Sequence, residues 1–471
     1  MILGNLADGL TRGVEGAFGA VNEAFFEPTI RLGVTGLSRA GKTIFITALV
    51  ANLINRGRMP GLAAAAQGRI EAAFLQPQPD DTLPRFAYET HLAALSGDTP
   101  RWPESTSGVS ELRLSLLVRP TGLLAGMAGA RTVHLDIVDY PGEWLLDLGL
   151  LDLDFAAWSE KTLARVAARG ELGADFEAAL READTSAKLD EPRAQELAAR
   201  FTAYLQAAKA AGYSDCAPGR FLLPGDLAGS PVLTFAPLAK GPAPRGSLAR
   251  EFARRYESYR REVVRPFFRD HFARLDRQII LVDVLSAVHG GPAALDDLRQ
   301  ALADILAAFR PGQNDFLRQI FLGRRIEKIL FAATKADHIH HSQHARLAAI
   351  AEALLAEAKS RADFAGAKTR ALALAAYRAT TEERIDHGGE PRDVVQGILS
   401  ATGKRAAFHP GDLPEDPARL LAPARDGAER FLDGDFSAMV FAPQPVSLKP
   451  GEGPPHIRLD KAAEFLIGDR I

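Results

Sequence analysis

Residues 36–43 read GLSRAGKT and decide the fold of this chain. They follow a short apolar stretch at 29–35, TIRLGVT, and precede a segment at 42–56 whose composition predicts a helix. A strand, a glycine-rich turn and a helix form the context in which the pattern G-x-x-x-x-G-K-[ST] binds the phosphates of a nucleotide. The sequence therefore predicts an α/β fold built around a phosphate-binding loop.

Each residue type in this loop has a physical reason. Gly36 and Gly41 let the backbone curl so that several N–H groups face one phosphate chain, and the following helix adds its positive N-terminal end. Lys42 places a positive charge between the terminal phosphates, and the Thr43 hydroxyl is a magnesium ligand. Because the loop contacts only phosphate, it does not distinguish GTP from ATP. The predicted phosphate-binding residues of the loop are Gly36, Ser38, Arg39, Ala40, Gly41, Lys42 and Thr43.

A second motif, DYPGE at 139–143, follows a strand predicted at 131–138. An aspartate at the carboxyl end of a parallel strand lies beside the phosphate loop, so Asp139 is predicted to hold Mg²⁺ through water. Gly142 can offer its backbone N–H to the terminal phosphate. That contact is made with the triphosphate and lost with the diphosphate, and the segment is therefore predicted to be a switch.

A third motif, TKAD at 334–337, ends a predicted strand. A carboxylate at Asp337 would accept hydrogen bonds from guanine N1 and the exocyclic amine, a donor pair that adenine lacks. The stem of Lys335 would cover the plane of the base. One strand later, a backbone N–H at Ala376 or Tyr377 is expected near the guanine oxygen. The predicted guanine-binding residues are Thr334, Lys335, Asp337, Ala376 and Tyr377.

A threonine that senses magnesium is expected just before the strand at 109–118. Thr106 in the stretch RWPESTSGVS is the candidate, and Thr99 is the alternative. An ordinary loop rich in serine and threonine is the competing interpretation of this stretch.

The remaining pattern predicts how the chain is organised. The strands at 109–118 and 131–138 are joined too closely for a helical crossover, so they should be antiparallel neighbours. Strands and helices alternate on both sides of a long helical stretch, which implies one mostly parallel sheet that carries a large helical insertion. We predict an N-terminal amphipathic helix (1–27), a nucleotide-binding domain in two parts (28–143 and 277–381), the helical insertion (144–276) and a C-terminal extension (382–471).

Composition restricts the class of protein. Apolar residues make up 47% of the 471 residues, which is ordinary for a globular protein. The formal net charge is −3, so the chain has no excess of positive charge that would indicate nucleic-acid binding. Cys216 is the only cysteine, which excludes an internal disulfide and fits a reducing compartment. No apolar run reaches the length of about 18 residues expected of a transmembrane helix. The N-terminal helix is expected to pack on the protein, and peripheral membrane contact is the alternative.

The motif set resembles the Ras-like, translation-factor branch of GTPases, although Thr334 stands in place of the usual asparagine. The stretches RWP, VDYPGEWLLDL, TKADH and RATT further resemble the YcjX family of bacterial stress-associated P-loop NTPases, over nearly the whole chain. This resemblance implies a cytoplasmic switch in a stress response that binds and hydrolyses GTP, with GDP as product and Mg²⁺ as cofactor.

The resemblance also implies catalytic roles. Glu143 stands where Ras-like GTPases carry their water-orienting glutamine, and the alternative is a carboxylate that caps the next helix. Arg39 stands where guanylate-binding proteins place an arginine that acts in cis, and the alternative is an arginine that only shields phosphate. Lys42 completes the predicted catalytic set.

Other functions use the same loop. They are an ATPase, a small-molecule kinase, and a nucleotide-binding scaffold with little turnover. A kinase has no need of Thr-Lys-x-Asp. The expected partners are a guanine nucleotide and an unidentified protein that binds the helical insertion, and a homodimer is possible.

Overall fold

The structure is a computed structural model, and it describes residues 27–37, 40–104, 108–121, 129–271, 274–307, 326–356, 367–432, 434, 436–446 and 449–471. Three sequence predictions lie outside these residues. They are the N-terminal helix up to residue 26, Ser38 and Arg39 in the phosphate loop, and Thr106.

Seven strands form the central sheet. They are β1 (Thr29–Gly36), β2 (Ile70–Gln76), β3 (Ser110–Val118), β4 (Arg131–Asp139), β5 (Arg277–Val282), β6 (Lys328–Ala333) and β7 (Lys368–Ala373). Their order across the sheet is β2-β3-β4-β1-β5-β6-β7. β3 is antiparallel to both of its neighbours, and all the other pairs are parallel. The predicted fold class is therefore confirmed, including the single antiparallel strand.

Helices cover both faces of this sheet. They are α1 (Lys42–Asn55), α2 (Ala63–Ala66), α3 (Tyr88–Ser96), α4 (Gly142–Leu145), α5 (Phe155–Ala168), α6 (Ala174–Glu182), α7 (Glu191–Ala210), α8 (Gly219–Leu222), α9 (Leu248–Tyr259), α10 (Arg265–Asp270), α11 (Val284–His289), α12 (Gly291–Ala307), α13 (His344–Leu354), α14 (Ala418–Arg425) and α15 (Leu459–Ile467). None of the described helices is both long enough and apolar enough to cross a membrane.

The central strands are apolar throughout because both of their faces are buried. On β6, Leu330 belongs to an apolar core with α1 and α15, whereas Phe331 points to the opposite core, with α9, α12 and α13. Successive side chains of a strand face opposite sides of the sheet, so a strand covered on both sides reads as a continuous apolar run.

The helical insertion shares its core with the sheet. Trp158 of α5 stacks on Tyr256 of α9, with ring centroids 4.8 Å apart. At the junction with the sheet, the Phe267 ring meets Tyr140 at 6.0 Å and Trp144 at 5.4 Å. The segment that follows β4 is therefore packed directly against the last helix of the insertion.

The C-terminal helix α15 is bound to the sheet by a buried arginine at the start of β5. Arg277 is fully buried, and its Nε donates to the Leu466 carbonyl at 2.9 Å. Its guanidinium also pairs with Glu327 and, at 3.0 Å, with Asp469.

Two parts of the chain carry strands that the sequence did not predict. β2 lies in the segment 59–103, where no strand was predicted. A second sheet is built from β8 (Thr381–His387), β9 (Glu390–Leu399), β10 (Arg405–Phe408) and β11 (Phe441–Ala442), and all its pairs are antiparallel. These strands are edge or largely polar strands, such as TEERIDH, so their sequences lack clear apolar alternation.

Candidate functional site

The phosphate loop joins β1 to α1. β1 ends at Gly36, and α1 begins at Lys42 after Gly41, which adopts a left-handed conformation with φ 83°. Non-glycine residues rarely adopt that conformation, which explains the second glycine of the motif. The first turn of α1 therefore directs its N–H groups and its positive end toward the loop.

The two predicted magnesium ligands come from adjacent elements at the same edge of the sheet. Asp139 ends β4 and lies opposite Val34 of β1 in the parallel register. Thr43 is in the first turn of α1, which follows β1. Both residues are buried, and a carboxylate and a hydroxyl are oxygen ligands of the kind that Mg²⁺ prefers. The donor set therefore fits Mg²⁺.

Gly142 packs against the backbone of the phosphate loop. A Cβ atom at this position would lie 1.8 Å from the carbonyl oxygen of Gly36 and 3.2 Å from the N of Leu37. No side chain fits in that space. Because Gly142 has no side chain, the backbone of the DYPGE motif can contact the loop that is predicted to hold phosphate.

Glu143 is held by a lysine of the helical insertion. Its Oε1 accepts a hydrogen bond from Lys209 Nζ of α7 at 2.7 Å. Burial raises the pKa of this carboxyl, but the charges of Lys209 and Lys42 outweigh burial and the net shift of the pKa is downward. Glu143 is therefore an anion between two cations, one from the phosphate loop and one from the insertion.

The TKAD motif follows β6 and is fixed by the neighbouring strands. Both the backbone N–H and the hydroxyl of Thr334 donate to the Val282 carbonyl, at 2.9 and 3.3 Å. Lys335 adopts a left-handed conformation, with φ 59°, and its ammonium pairs with Asp283 at the end of β5. The motif therefore depends on β5 for its shape.

Asp337 is buried, and its carboxylate has a fixed direction. Its Oδ2 accepts a hydrogen bond from the N–H of Ala379 at 2.9 Å, and its backbone carbonyl accepts one from the Thr380 hydroxyl. The carboxylate is thus positioned by the segment after β7. On either side of Ala376 and Tyr377, the N–H groups of Ala375 and Arg378 donate to residues near the C-terminus.

A single cavity of about 380 Å³ connects the phosphate loop with the TKAD motif. Its lining includes Lys42 and Thr43 at one end and Lys335 and Asp337 at the other. The predicted residues that line it are Ala40, Gly41, Lys42, Thr43, Thr334, Lys335, Asp337, Ala376 and Tyr377. Thr99, the alternative magnesium sensor, is exposed in the bend after α3 and is not part of this lining.

The cavity also contains residues to which the sequence assigned no role. Trp102 and Phe441 line it, and the indole Nε1 of Trp102 donates to the Phe441 carbonyl at 2.7 Å. The Trp102 ring also meets the Tyr377 ring edge to face, at 5.6 Å. A tryptophan before proline in an otherwise polar loop was the available signal for Trp102. Phe441 gave no such signal.

Comparisons with known proteins show the family of this chain. A family model described as YcjX-like family, DUF463, matches residues 30–471. The chain is 40% identical over 460 residues to a protein of Escherichia coli named Ras-like GTPase YcjX, covering 94% of this chain and 96% of that protein. It is 35% identical over 468 residues to a protein of the same name from Shewanella oneidensis, covering 94% of each.

We predict that Gly142→Ala weakens nucleotide binding at least tenfold, which corresponds to about 1.4 kcal/mol. The new methyl group would collide with the Gly36 carbonyl and force the phosphate loop or the DYPGE motif to move. Titration with a fluorescent nucleotide measures the affinity, and circular dichroism checks the fold. Gly129→Ala is the matched control, because its Cβ would meet no atom of the described residues within 4 Å. Equal affinities in the two variants would contradict the prediction.

Proposed function

The chain belongs to the YcjX-like family, and on that premise we propose that it binds GTP with Mg²⁺ and hydrolyses it to GDP and phosphate. The observation that carries the proposal is the cavity that joins the phosphate loop to Asp337. Relatives of this chain named Ras-like GTPases support the same class of activity.

In this proposal, the end of the cavity at the phosphate loop binds the negatively charged triphosphate. Lys42, the N–H groups of the loop and the N-terminus of α1 hold the triphosphate. Thr43 and Asp139 would hold Mg²⁺, which when bound neutralises charge on the terminal phosphates. Gly142 lies against the Gly36 carbonyl, and this contact supports the proposal that Gly142 would respond when the terminal phosphate leaves.

The other end of the cavity selects the base. The Asp337 carboxylate, held by the Ala379 N–H, would accept hydrogen bonds from the two guanine donors. Adenine would leave this buried carboxylate without those donors, and such a loss disfavours the wrong base strongly. This is the reason that we favour GTP over ATP. Trp102 and the stem of Lys335 contribute flat and apolar surface for the base.

Catalysis in this proposal uses Arg39 and Glu143. Arg39 would stabilise charge on the transferring phosphoryl group, and Glu143 would orient the attacking water. The ion pair between Glu143 and Lys209 favours a second candidate, a nucleotide-binding scaffold with little turnover. Lys209 occupies Oε1 of Glu143 and leaves only Oε2 to accept a hydrogen bond from water.

We further propose that the helical insertion transmits the state of the nucleotide. Lys209 links α7 directly to the DYPGE motif, so movement of Glu143 must affect the insertion. The insertion is also the surface that we propose for a protein partner. A cytoplasmic role in a bacterial stress response is part of the proposal and follows from the family resemblance.

We predict that Asp337→Asn weakens GDP binding at least a hundredfold and raises affinity for xanthosine diphosphate, because an amide donates where the carboxylate accepted. Competitive titration of GDP, ADP and xanthosine diphosphate measures this change of base. Asp304→Asn, at a half-buried carboxylate of α12 that pairs with Lys161, is the control and should bind as the wild type does. Equal affinity of the wild type for GDP and ADP would overturn guanine specificity, as would adenine in the nucleotide released from purified protein.

We predict that Arg39→Ala and Glu143→Ala each lower single-turnover GTP hydrolysis by at least about a hundredfold. GDP affinity should change little, because both interactions strengthen mainly in the transition state. Glu160→Ala, an exposed carboxylate of α5, is the control. Unaltered rates in both variants would assign catalysis to other groups and favour the scaffold.

We predict that hydrogen exchange in α7 differs between the GDP state and a GTP-analogue state, and that Lys209→Ala removes most of this difference. Lys209→Arg, which keeps a cation within reach of Glu143, should retain it. If the difference persists in Lys209→Ala, or is missing in the wild type, the ion pair is not the link between the nucleotide and the insertion.

A further inference from the structure

A histidine cluster follows the TKAD motif and plays no part in the proposed hydrolysis. His340 and His341 lie a few residues after Asp337, and Glu382 lies on β8 of the second sheet. His341 Nδ1 is 2.6 Å from Glu382 Oε2, and His340 Nε2 is 3.7 Å from the same oxygen. One ligand atom from each residue lies within 4.8 Å of the other two.

These distances are close to those of a metal site. Imidazole nitrogen and carboxylate oxygen bind Zn²⁺ at about 2.1 Å, which in a tetrahedron separates two ligand atoms by about 3.4 Å. Small side-chain rotations would bring all three atoms to that separation. His341 is largely exposed, so its ring is free to make the adjustment.

A second carboxylate is placed to orient one of the ligands. Asp393 Oδ2 lies 3.5 Å from His340 Nδ1, the ring nitrogen that does not face Glu382, and the Ser342 hydroxyl lies closer to the same nitrogen, at 2.9 Å. A carboxylate behind a histidine fixes the tautomer and increases the basicity of the other ring nitrogen in many metal sites. Arg384 holds Asp393 at 2.7 Å. The cluster therefore has three ligands, and His340 has two outer partners, Asp393 and Ser342.

The charge balance also favours a cation between neutral rings. The two imidazole centroids are only 4.2 Å apart, so two protonated rings would repel each other. Arg378 lies 3.5 Å from the other oxygen of Glu382, so Oε2, the oxygen that faces the two rings, remains for a metal ion. Without a metal ion, only the His341 ring forms a hydrogen bond with Glu382. A bound metal ion would be coordinated by one nitrogen from each of the two neutral rings.

We propose that His340, His341 and Glu382 bind a divalent transition metal, with Zn²⁺ as the ion that best fits two imidazoles and one carboxylate. Three protein ligands leave a fourth position open to water. The bound metal connects the loop after Asp337 to β8, next to the existing hydrogen bond between the Thr380 hydroxyl and the Asp337 carbonyl. The site is independent of the proposed hydrolysis of GTP.

The test measures zinc binding to the full chain after removal of metal with a chelator. Competition with a chromophoric zinc indicator should give one site per chain. His341→Ala, a change at an exposed position that should not disturb folding, should lower the affinity at least a hundredfold. Asp393→Asn should lower it about tenfold, as expected for an outer partner. His91→Ala, which removes a histidine far from the cluster in sequence, is the control and should bind zinc as the wild type does.

Cobalt provides a second measurement that does not depend on an indicator. Co²⁺ bound to the site should give a visible d–d absorption band that zinc displaces and that is absent in His341→Ala and Glu382→Gln. If the wild type binds no zinc, or if the variants bind it as the wild type does, the cluster is a hydrogen-bonded group and the proposal is wrong.

Discussion

The parallel register of five strands is the constraint on which the site depends. β4, β1, β5, β6 and β7 all end at the same edge, because parallel strands place their carboxyl ends together. Each motif directly follows one of these ends. The phosphate loop follows β1, DYPGE begins at the end of β4, and TKAD follows β6. The phosphate loop and the TKAD motif, far apart in the chain, therefore line one cavity, and Gly142 of DYPGE lies against the backbone of the loop.

At the same edge of the sheet, the DYPGE motif and the residues after it are packed against the helical insertion. Beyond Glu143, Asp147 is fully buried and accepts hydrogen bonds from the Tyr259 hydroxyl at 2.5 Å and the Gly219 N–H at 2.7 Å. Burial raises the pKa of this carboxyl to about 7. A Cβ on Gly219 would lie 1.9 Å from the Glu143 carbonyl. The backbone of the insertion is thus in direct contact with the backbone of the motif. A movement of Glu143 must therefore either move the insertion with it or break this contact.

The sequence predicted the residues whose local pattern fixes both conformation and chemistry. Gly41 and Lys42 are of this kind, because a loop between strand and helix defines their position. Lys209 and Trp102 could not be predicted, since their partners are 66 and 339 residues away in the chain. β2 and the second sheet escaped prediction because their strands are edge or polar strands, in which apolar periodicity is weak. Local sequence patterns do not show contacts between residues that are far apart in the chain, and these features depend on such contacts.

The segment after residue 382 shows how long-range contacts bear on the guanine specificity that we propose for Asp337. Phe441, which belongs to the second sheet, packs with Tyr377 and accepts the hydrogen bond from Trp102. The Ala379 N–H that orients Asp337 comes just before that sheet, and the Gln444 side chain donates to the Ala379 carbonyl at 2.7 Å. A carboxylate selects a base only if its direction is fixed. In this chain the Ala379 N–H fixes that direction and Gln444 holds Ala379, so the base selection that we propose would depend on this segment.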